Sequence, residues 1–185
     1  MSKKIFVITG SPRKGGNSSI MADAFIRGAE EAENSVKRFD TAFKNIAGCK
    51  ACDACWTNGR ACVFSDDWQE FSDNLEAADI VVFAHPIYWS GMPSELKAAI
   101  DRTYSYCSAK TIRPLDGKQI VLLLCCECEG MSNFSQTLDC YEGMSGYFKW
   151  TELGRVLQDS VFEKGAVNSH PDTIEKCYQI GKSIQ

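Results

Sequence analysis

Long hydrophobic runs are missing from this sequence. The longest, residues 120–126, has seven residues, whereas a helix that crosses a membrane needs about 20 apolar residues. The first four residues lead directly into the apolar residues 5–8, a stretch that is too short for a signal peptide and carries no cleavage site. We therefore expect a cytoplasmic protein that does not contact a membrane.

An excess of positive charge is missing as well. The chain has 20 basic and 24 acidic residues, which gives a net charge of −4. Proteins that bind nucleic acid along its length present a basic face to the phosphates, so this function is not expected. The overall balance still allows a local cationic pocket for a single phosphate.

The length and composition are those of an ordinary globular protein. The 185 residues are 44% hydrophobic and 24% charged, and a chain of this size buries about 70% of its unfolded surface without cross-links. We expect residues 1–185 to form one domain, interrupted by a cysteine-rich connection at about residues 40–65.

Ten cysteines are a large number for such a chain. Without an export signal they are not expected to form a disulfide framework, and metal ligands, redox thiols or core residues are the alternatives. Four of them crowd into one short stretch: Cys49, Cys52, Cys55 and Cys62. The other six are expected to fill the core as small hydrophobic residues: Cys107, Cys125, Cys126, Cys128, Cys140 and Cys177.

Apolar strand patterns alternate with helical patterns along the whole chain. Such alternation predicts an α/β fold with a parallel sheet that helices cover on both faces. The predicted strands are residues 4–9, 36–39, 79–84, 119–125 and 152–157. The predicted helices are residues 17–33, 66 or 67 to 78, 94–106, 132–148 and 171–184. In such sheets ligands bind beyond the carboxyl ends of the strands, so function is expected in residues 10–17, 40–65, 85–93 and 126–131.

The loop after the first predicted strand has the composition of a phosphate site. Glycines let its backbone amides turn toward an anion, and the next helix offers the positive end of its dipole. The side chains expected to add donors are Ser11, Arg13, Asn17, Ser18 and Ser19. The alternative is a loop that merely caps the helix, because Asn and Ser are common caps.

Three kinds of phosphate ligand bind to loops of this type. A nucleoside triphosphate is disfavoured because Gly15 is followed by Gly16-Asn17-Ser18 instead of the lysine of a Walker A loop. A dinucleotide is disfavoured because the G-x-G-x-x-G spacing is absent, although Asp40 is placed to bind a ribose. A mononucleotide fits best, and FMN occupies this position in flavodoxin-like sheets.

The loop after the third predicted strand, residues 85–93, is aromatic and stiff. Tyr88 and Trp89 lie between two prolines, and a flavin ring needs such a flat apolar wall together with backbone donors. The alternative is that both aromatic residues belong to the core. His85 is either a proton donor near the ring or, as we expect, a strand-end residue with a backbone partner.

Two motifs in this order resemble those of the NAD(P)H-dependent FMN reductase group of the flavodoxin-like superfamily. They are Gly10-Ser11-Pro12-Arg13 with Gly16-Asn17-Ser18, and Pro86-Ile87-Tyr88-Trp89 with Met92-Pro93, Leu96-Lys97 and Ile100-Asp101-Arg102. The resemblance implies a flavodoxin-like three-layer fold with strand order 2-1-3-4-5. It places the FMN phosphate on Ser11, Arg13, Gly16, Asn17, Ser18 and Ser19. It places the ring against Pro86, Ile87, Tyr88, Trp89, Ser90, Gly91, Glu127 and Gly130.

The spacing of the clustered cysteines is typical of a metal site. Three thiols at C-x2-C-x2-C spacing curl one loop around a metal, and a fourth closes the set. The run also resembles that of iron–sulfur flavoproteins, which carry a [4Fe–4S] cluster beside FMN. Zinc, or a set of redox thiols without metal, remains an alternative for Cys49, Cys52, Cys55 and Cys62.

These patterns together predict an FMN-dependent oxidoreductase that uses NAD(P)H to reduce a flavin, quinone or nitro compound. No catalytic acid or base is needed, because hydride transfer is the chemistry of the flavin itself. The alternative is an iron–sulfur flavoprotein that exchanges electrons with a ferredoxin-type partner. A further alternative is a metal or redox sensor without enzymatic activity. The resemblance also implies a homodimer or homotetramer.

Overall fold

A computed structural model describes residues 2–58, 61–107 and 115–185. Its centre is a parallel five-stranded sheet with the order β2-β1-β3-β4-β5, which confirms the predicted α/β fold and the predicted order. The strands are β1 (Lys4–Thr9), β2 (Ser35–Asp40), β3 (Ile80–Pro86), β4 (Gln119–Cys125) and β5 (Thr151–Gln158).

Helices connect every pair of successive strands, and between β2 and β3 the cysteine-rich stretch precedes the connecting helix. The α-helices are α1 (Asn17–Glu31), α2 (Ala54–Thr57), α3 (Trp68–Ala77), α4 (Ser94–Asp101), α5 (Ser135–Phe148) and α6 (Pro171–Lys182). Short 3₁₀ helices cover Thr41–Phe43, Arg102–Tyr106, Met131–Phe134 and Ala166–Ser169. Within the described ranges, no helix has both the length and the apolar character needed to cross a membrane.

Two of the predicted helices are partly 3₁₀, and the other helical ends lie within about two residues of the prediction. The helix expected over residues 94–106 is α-helical only to Asp101, and its last turn tightens into a 3₁₀ helix. The helix expected from residue 132 likewise begins as a 3₁₀ turn. Both ends are places where 3₁₀ geometry commonly replaces α geometry. The short helix α2, inside the cysteine-rich connection, was not predicted.

The sheet separates two apolar cores. Phe6 and Ile8 of β1 point to one side, where they pack with residues of α3, α4 and α5. Ile5 and Val7 point to the other side and pack with residues of α1 and α6. This alternation follows from the two-residue period of a strand. The central strands are apolar on both faces, as predicted, but the edge strands β2 and β5 are partly exposed because only one neighbour pairs with each.

The scattered cysteines were predicted only partly correctly. Cys125, Cys126 and Cys177 are buried, which confirms a core role for them. For Cys128 and Cys140 the prediction was wrong because both are exposed. Cys140 lies on α5, and Cys128 lies in the loop that follows β4, where neither side chain faces a core. Cys107 is intermediate in exposure.

Helices α1 and α6 cross in backbone contact at two glycines. A β-carbon on Gly28 would lie 2.1 Å from the carbonyl oxygen of Tyr178, and one on Gly181 would lie 2.2 Å from that of Phe25. Real β-carbons do not approach backbone oxygen this closely. The crossing therefore requires glycine at both positions.

The crossing gives a direct prediction for stability. Gly28→Ala forces α1 away from α6, and we expect the free energy of unfolding to fall by about 3 kcal/mol or more. Gly143→Ala is the matched control, because Gly143 is a helical glycine on α5 with no atom within 4 Å of the added carbon. That control gains about 0.5–1 kcal/mol from helix propensity. Urea unfolding followed by circular dichroism measures both changes, and equal stabilities would contradict the packing described.

Candidate functional site

A pocket of about 570 Å³ lies at the carboxyl edge of the sheet. We call it the strand-end pocket. It brings together nine of the residues predicted from sequence: Ser11, Arg13, Gly16, Asn17, Ser18, Pro86, Ile87, Tyr88 and Glu127. It also includes five residues that were not predicted: Cys125, Cys126, Val161, Phe162 and Lys164.

The loop after β1 is held in a tight conformation. The amide of Gly10 donates to the carbonyl of Ala84, and a β-carbon on Gly10 would lie 2.9 Å from the β-carbon of His85. Further along, the amide of Gly16 donates to the carbonyl of Arg13, and a β-carbon on Gly16 would lie 2.9 Å from that same oxygen. These close approaches explain why glycine stands at both ends of the loop.

The first turn of α1 opens into the strand-end pocket. No side chain caps this end of the helix, so the first amides keep their hydrogen-bonding capacity. The hydroxyl of Ser18 is buried and makes no hydrogen bond to the described residues. Burial and the charge of Cys126 raise the pKa of the neighbouring Cys125 thiol to about 12, and the backbone and side chain of Ser18 oppose this rise. A buried hydroxyl without a partner is rare in proteins.

The loop after β5 forms the other wall, and Asn17 holds it in place. The side-chain amide of Asn17 donates to the carbonyls of Val161 and Glu163 at 3.1 and 3.0 Å. Its carbonyl oxygen accepts from the amide of Val167 at 3.1 Å. The predicted phosphate ligand Asn17 is thus bonded to this loop by both ends of its carboxamide.

Arg13 also contacts the loop after β5. Its Nη1 donates to the carbonyl of Phe162 at 3.1 Å, and its guanidinium lies 5.7 Å from the centre of the Phe162 ring. Sequence reasoning missed this loop because function was expected only in the loops that follow the first four strands. Ligands bind beyond the carboxyl end of any strand in such a sheet, so the loop after the fifth strand, with Val161, Phe162 and Lys164, could have been included.

Ser19 is not brought to the strand-end pocket. Its hydroxyl accepts from Nη2 of Arg38, a residue of β2, at 2.9 Å. Ser18 and Ser19 are neighbours in the first helical turn, about 100° apart around the axis. One of them faces the pocket and the other faces β2.

The loop after β3 ends in a tight turn. The amides and carbonyls of Tyr88 and Gly91 are bonded reciprocally, at 2.9 and 3.0 Å. Trp89 and Ser90, at the tip, both have left-handed backbone conformations, with φ of 48° and 61°. Non-glycine residues rarely adopt such angles, and clusters of them are found at functional sites. The hydroxyl of Thr137 on α5 anchors the tip through the Ser90 carbonyl.

A second, more open pocket of about 1080 Å³ continues from the first over this turn. The two pockets share Ile87, Tyr88, Cys126 and Glu127, and the second adds Trp89, Ser90, Cys128 and Asn133. Gly91 and Gly130 line neither pocket. Gly91 closes the turn, and the amide of Gly130 donates to the carboxylate of Asp159.

His85 is completely buried beneath the loop after β3. Its Nδ1 donates to the carbonyl of Pro86 at 2.9 Å, which gives the histidine the backbone partner expected from sequence. The neutral ring must then accept at Nε2, where the hydroxyl of Tyr141 lies at 2.9 Å. Burial lowers the pKa of His85 to about 4, so the imidazole is neutral at pH 7.

This lowered pKa predicts a loss of stability in acid. The unfolded chain protonates His85 near pH 6.5 but the folded chain only near pH 4. The resulting stabilisation is complete above pH 6.5 and declines by about 1.4 kcal/mol per pH unit as the pH falls toward 4. His85→Gln keeps a donor and an acceptor but does not titrate. The free energy of unfolding of the wild type should therefore fall by about 3 kcal/mol relative to that of His85→Gln over this range.

Chemical unfolding at several pH values measures that difference. His170→Gln, which removes the other of the two histidines, keeps His85 and should retain the acid loss of the wild type. A difference between wild type and His85→Gln that stays constant from pH 7 to pH 4 would contradict the lowered pKa.

The four clustered cysteines line one small pocket. We call it the cysteine pocket. Ala51 and Asp53, between the first three cysteines, have left-handed conformations with φ of 49° and 54°, and these two residues turn the loop back on itself. Cys55 is the second residue of the single-turn helix α2 that follows. Burial raises the pKa of Cys55, and the negative charges of Cys62, Cys52 and Cys49 raise it further.

The cysteine pocket is built against the 3₁₀ segment Arg102–Tyr106. Trp56 stacks on Tyr104 with ring centres 4.8 Å apart and donates from Nε1 to the Tyr104 carbonyl at 3.3 Å. Asp66 accepts from the amide of Ala47 at 3.0 Å, which ties the start of the loop to the start of α3. Arg102, Tyr104 and Ser105 all line the pocket.

The geometry of the thiols is not that of a site for one ion. In residues 2–58, 61–107 and 115–185, no three His, Cys, Asp or Glu side chains are arranged to hold a single metal ion. The cysteine pocket belongs to the connection that follows β2, as expected. It packs on the 3₁₀ segment after α4 and shares no lining residue with the strand-end pocket.

A parallel sheet in this order, with a glycine-rich loop after β1 and an aromatic loop after β3, defines a flavodoxin-like protein. The solved structure of an NAD(P)H:quinone oxidoreductase from Methanothermobacter marburgensis has the same fold, with a TM-score of 0.77 over 98% of this chain and 96% of that one, at 18% identity. The family model for NADPH-dependent FMN reductases matches residues 3–138. The chain belongs to this family.

Several curated relatives carry the name iron–sulfur flavoprotein. One, from Archaeoglobus fulgidus, is 35% identical over 115 residues, which are 62% of this chain and 52% of that protein. Another, from Methanosarcina thermophila, is 37% identical over 100 residues, which are 54% of this chain and 52% of that protein. The chain thus aligns with about half the length of these relatives.

Proposed function

We propose that this protein binds FMN at the strand-end pocket and uses NAD(P)H to reduce a small acceptor of the flavin, quinone or nitro-compound type. The observation that carries the proposal is the buried, unpartnered hydroxyl of Ser18 at an uncapped helix start. A phosphate monoester satisfies both features at once, because it brings negative charge and acceptor oxygens to this position. The family to which the chain belongs supports the same cofactor.

The residues present fit the phosphate end of FMN. Ser18 and Ser11 offer hydroxyl groups, the first turn of α1 offers amides, and Lys164 and Arg13 bring positive charge to the same pocket. Asn17 acts indirectly in this proposal, because it holds the loop after β5 against the site.

The loop after β3 fits the flat ring. Pro86, Ile87 and Tyr88 supply an apolar wall, and Thr137 fixes the turn beyond it. When bound, FMN supplies hydride and single-electron chemistry. The protein needs only to orient the ring and leave one face open, and the wide second pocket beside Tyr88 and Trp89 offers room for nicotinamide and acceptor in turn.

Comparing FMN with riboflavin, which lacks the phosphate, tests this proposal. Ser18→Ala should weaken FMN binding about tenfold, because a hydrogen bond to a charged group is lost, and should leave riboflavin binding unchanged. Ser72→Ala is the control, because Ser72 is equally buried but donates to Gln69 within α3, far from the pocket. Quenching of flavin fluorescence measures both affinities, and NADPH oxidation then tests turnover.

Two results would count against the flavin site. An equal loss of affinity for FMN and riboflavin in Ser18→Ala would show that the phosphate does not bind at this position. Absence of FMN binding by the wild-type chain would leave only the cysteine pocket as a candidate for function, as in a metal or redox sensor.

The cysteine pocket supports a second function, electron transfer between a [4Fe–4S] cluster and FMN. In such a cluster each thiolate binds a different iron, so four cysteines that line one pocket suit it, whereas zinc requires four ligands within about 2.3 Å of one ion. The names of the curated relatives support the same assignment. In this function Cys49, Cys52, Cys55 and Cys62 would hold the cluster, and a ferredoxin-type protein would exchange electrons with it.

Metal analysis after purification without oxygen tests the cluster. The wild-type chain should contain about four irons and matching sulfide, and Cys52→Ser should lose them while still binding FMN. Cys140→Ser, which removes another exposed thiol outside the pocket, should keep both. One zinc per chain would identify a zinc site, and a chain without metal would favour a redox thiol set.

The proposal includes a cytoplasmic location and assembly as a homodimer or homotetramer. The fully exposed ring of Trp89 at the rim of the second pocket supports assembly into an oligomer. A second subunit that covers this ring would also shield the flavin from water.

A further inference from the structure

The wall of the cysteine pocket contains a buried cation. The side chain of Arg102 is only 1% exposed. Its Nη1 donates to the carboxylate of Asp66 at 2.6 Å and to the carbonyl of Ala47 at 3.2 Å. Its Nε and Nη2 are also buried, and neither finds a hydrogen-bond partner in the described part of the chain.

A second buried donor lies on the same wall. The hydroxyl of Ser105 is buried and likewise has no partner among residues 2–58, 61–107 and 115–185. Residues three apart in a 3₁₀ helix eclipse one another, so Arg102 and Ser105 share one face of the segment Arg102–Tyr106. Both residues line the pocket with all four cysteines.

The local structure keeps Arg102 in place and away from water. Its guanidinium lies 4.8 Å from the ring centre of Trp68 and 5.4 Å from that of Phe64. Aromatic rings near the guanidinium leave its N–H edges as the means of contact with a polar ligand. Asp66 balances the single positive charge but uses only one of the three nitrogens.

Unpartnered donors concentrated at one pocket indicate a ligand with several acceptor atoms. Buried donors are costly unless they are paired. Neutral thiols are weak acceptors, whereas the sulfurs of an iron–sulfur cluster carry negative charge and accept hydrogen bonds. The position of the donors therefore suits an anionic sulfur-rich group better than four free thiols.

We infer that Arg102 and Ser105 are positioning residues that donate hydrogen bonds to the sulfur atoms of the cluster held by Cys49, Cys52, Cys55 and Cys62, and that they raise its reduction potential. The inference rests on the proposed iron–sulfur function. Reduction adds one electron, and therefore one negative charge, to a cluster that is already anionic. Nearby N–H and O–H donors and a fixed positive charge stabilise the reduced form more than the oxidised form.

The midpoint potential of the cluster tests this inference. Holoprotein purified without oxygen is titrated with dithionite, which donates one electron to each cluster, and the reduced cluster is followed by electron paramagnetic resonance. Ser105→Ala should shift the potential to a more negative value, and Arg102→Gln should shift it further in the same direction. Arg102→Lys keeps the charge but loses the planar fork, so its shift should be smaller than that of Arg102→Gln.

Controls separate this role from a purely structural one. Ser72→Ala, which also removes a buried hydroxyl but lies outside the cysteine pocket, should leave the potential unchanged. If the Arg102 or Ser105 variants lose thermal stability but retain iron and the wild-type potential, both residues only support the loop and the inference is overturned. If Arg102→Gln does not fold, the small substitution Ser105→Ala still decides.

The iron content of the wild-type chain separates the test of the cluster itself from the test of its tuning by Arg102 and Ser105. A wild-type chain that binds no iron would refute the cluster, and the tuning role with it. Wild-type protein with about four irons and variants with unshifted potentials would refute the tuning role alone.

Discussion

A parallel sheet cannot be closed by short hairpins, and this constraint determines the site. Each crossover returns the chain to the same starting edge, so the carboxyl ends of all five strands lie together at the opposite edge. The loops that leave this edge have no regular partner strand and must satisfy their backbone groups locally. The tight contacts of Gly10, the turn at Tyr88–Gly91 and the carboxamide of Asn17 are three solutions to that one problem.

The same organisation explains why the molecule has two chemically different pockets. The strand-end pocket takes its donors from a helix start and from hydroxyl groups, which suits an oxyanion. The cysteine pocket takes its donors from a buried guanidinium and a serine beside four sulfurs. Because the stretch between β2 and α3 is long, it can reach the segment after α4 without disturbing the sheet.

Most elements could be predicted from sequence because apolar periodicity acts locally, and the sheet order could be predicted because the two loop motifs resemble those of a known family. Side-chain direction could not. Ser18 and Ser19 are equivalent in composition, but the axis of α1 turns one toward the pocket and the other toward Arg38. The burial of Arg102 depends on Asp66 and on Trp68 of α3, both distant in sequence. The loop after β5 has no motif of its own, and its part in the pocket depends on hydrogen bonds to Asn17.

Asn17 also bears on the order in which the site is completed during synthesis. Its carboxamide bonds to Val161, Glu163 and Val167, and the last of these lies 150 residues later in the chain. During synthesis the loop after β1 is therefore complete long before the residues that bond to Asn17 have been added to the chain. Until β5 and its loop emerge, the strand-end pocket has only one wall, so a nascent chain can form much of its sheet while this pocket is still incomplete.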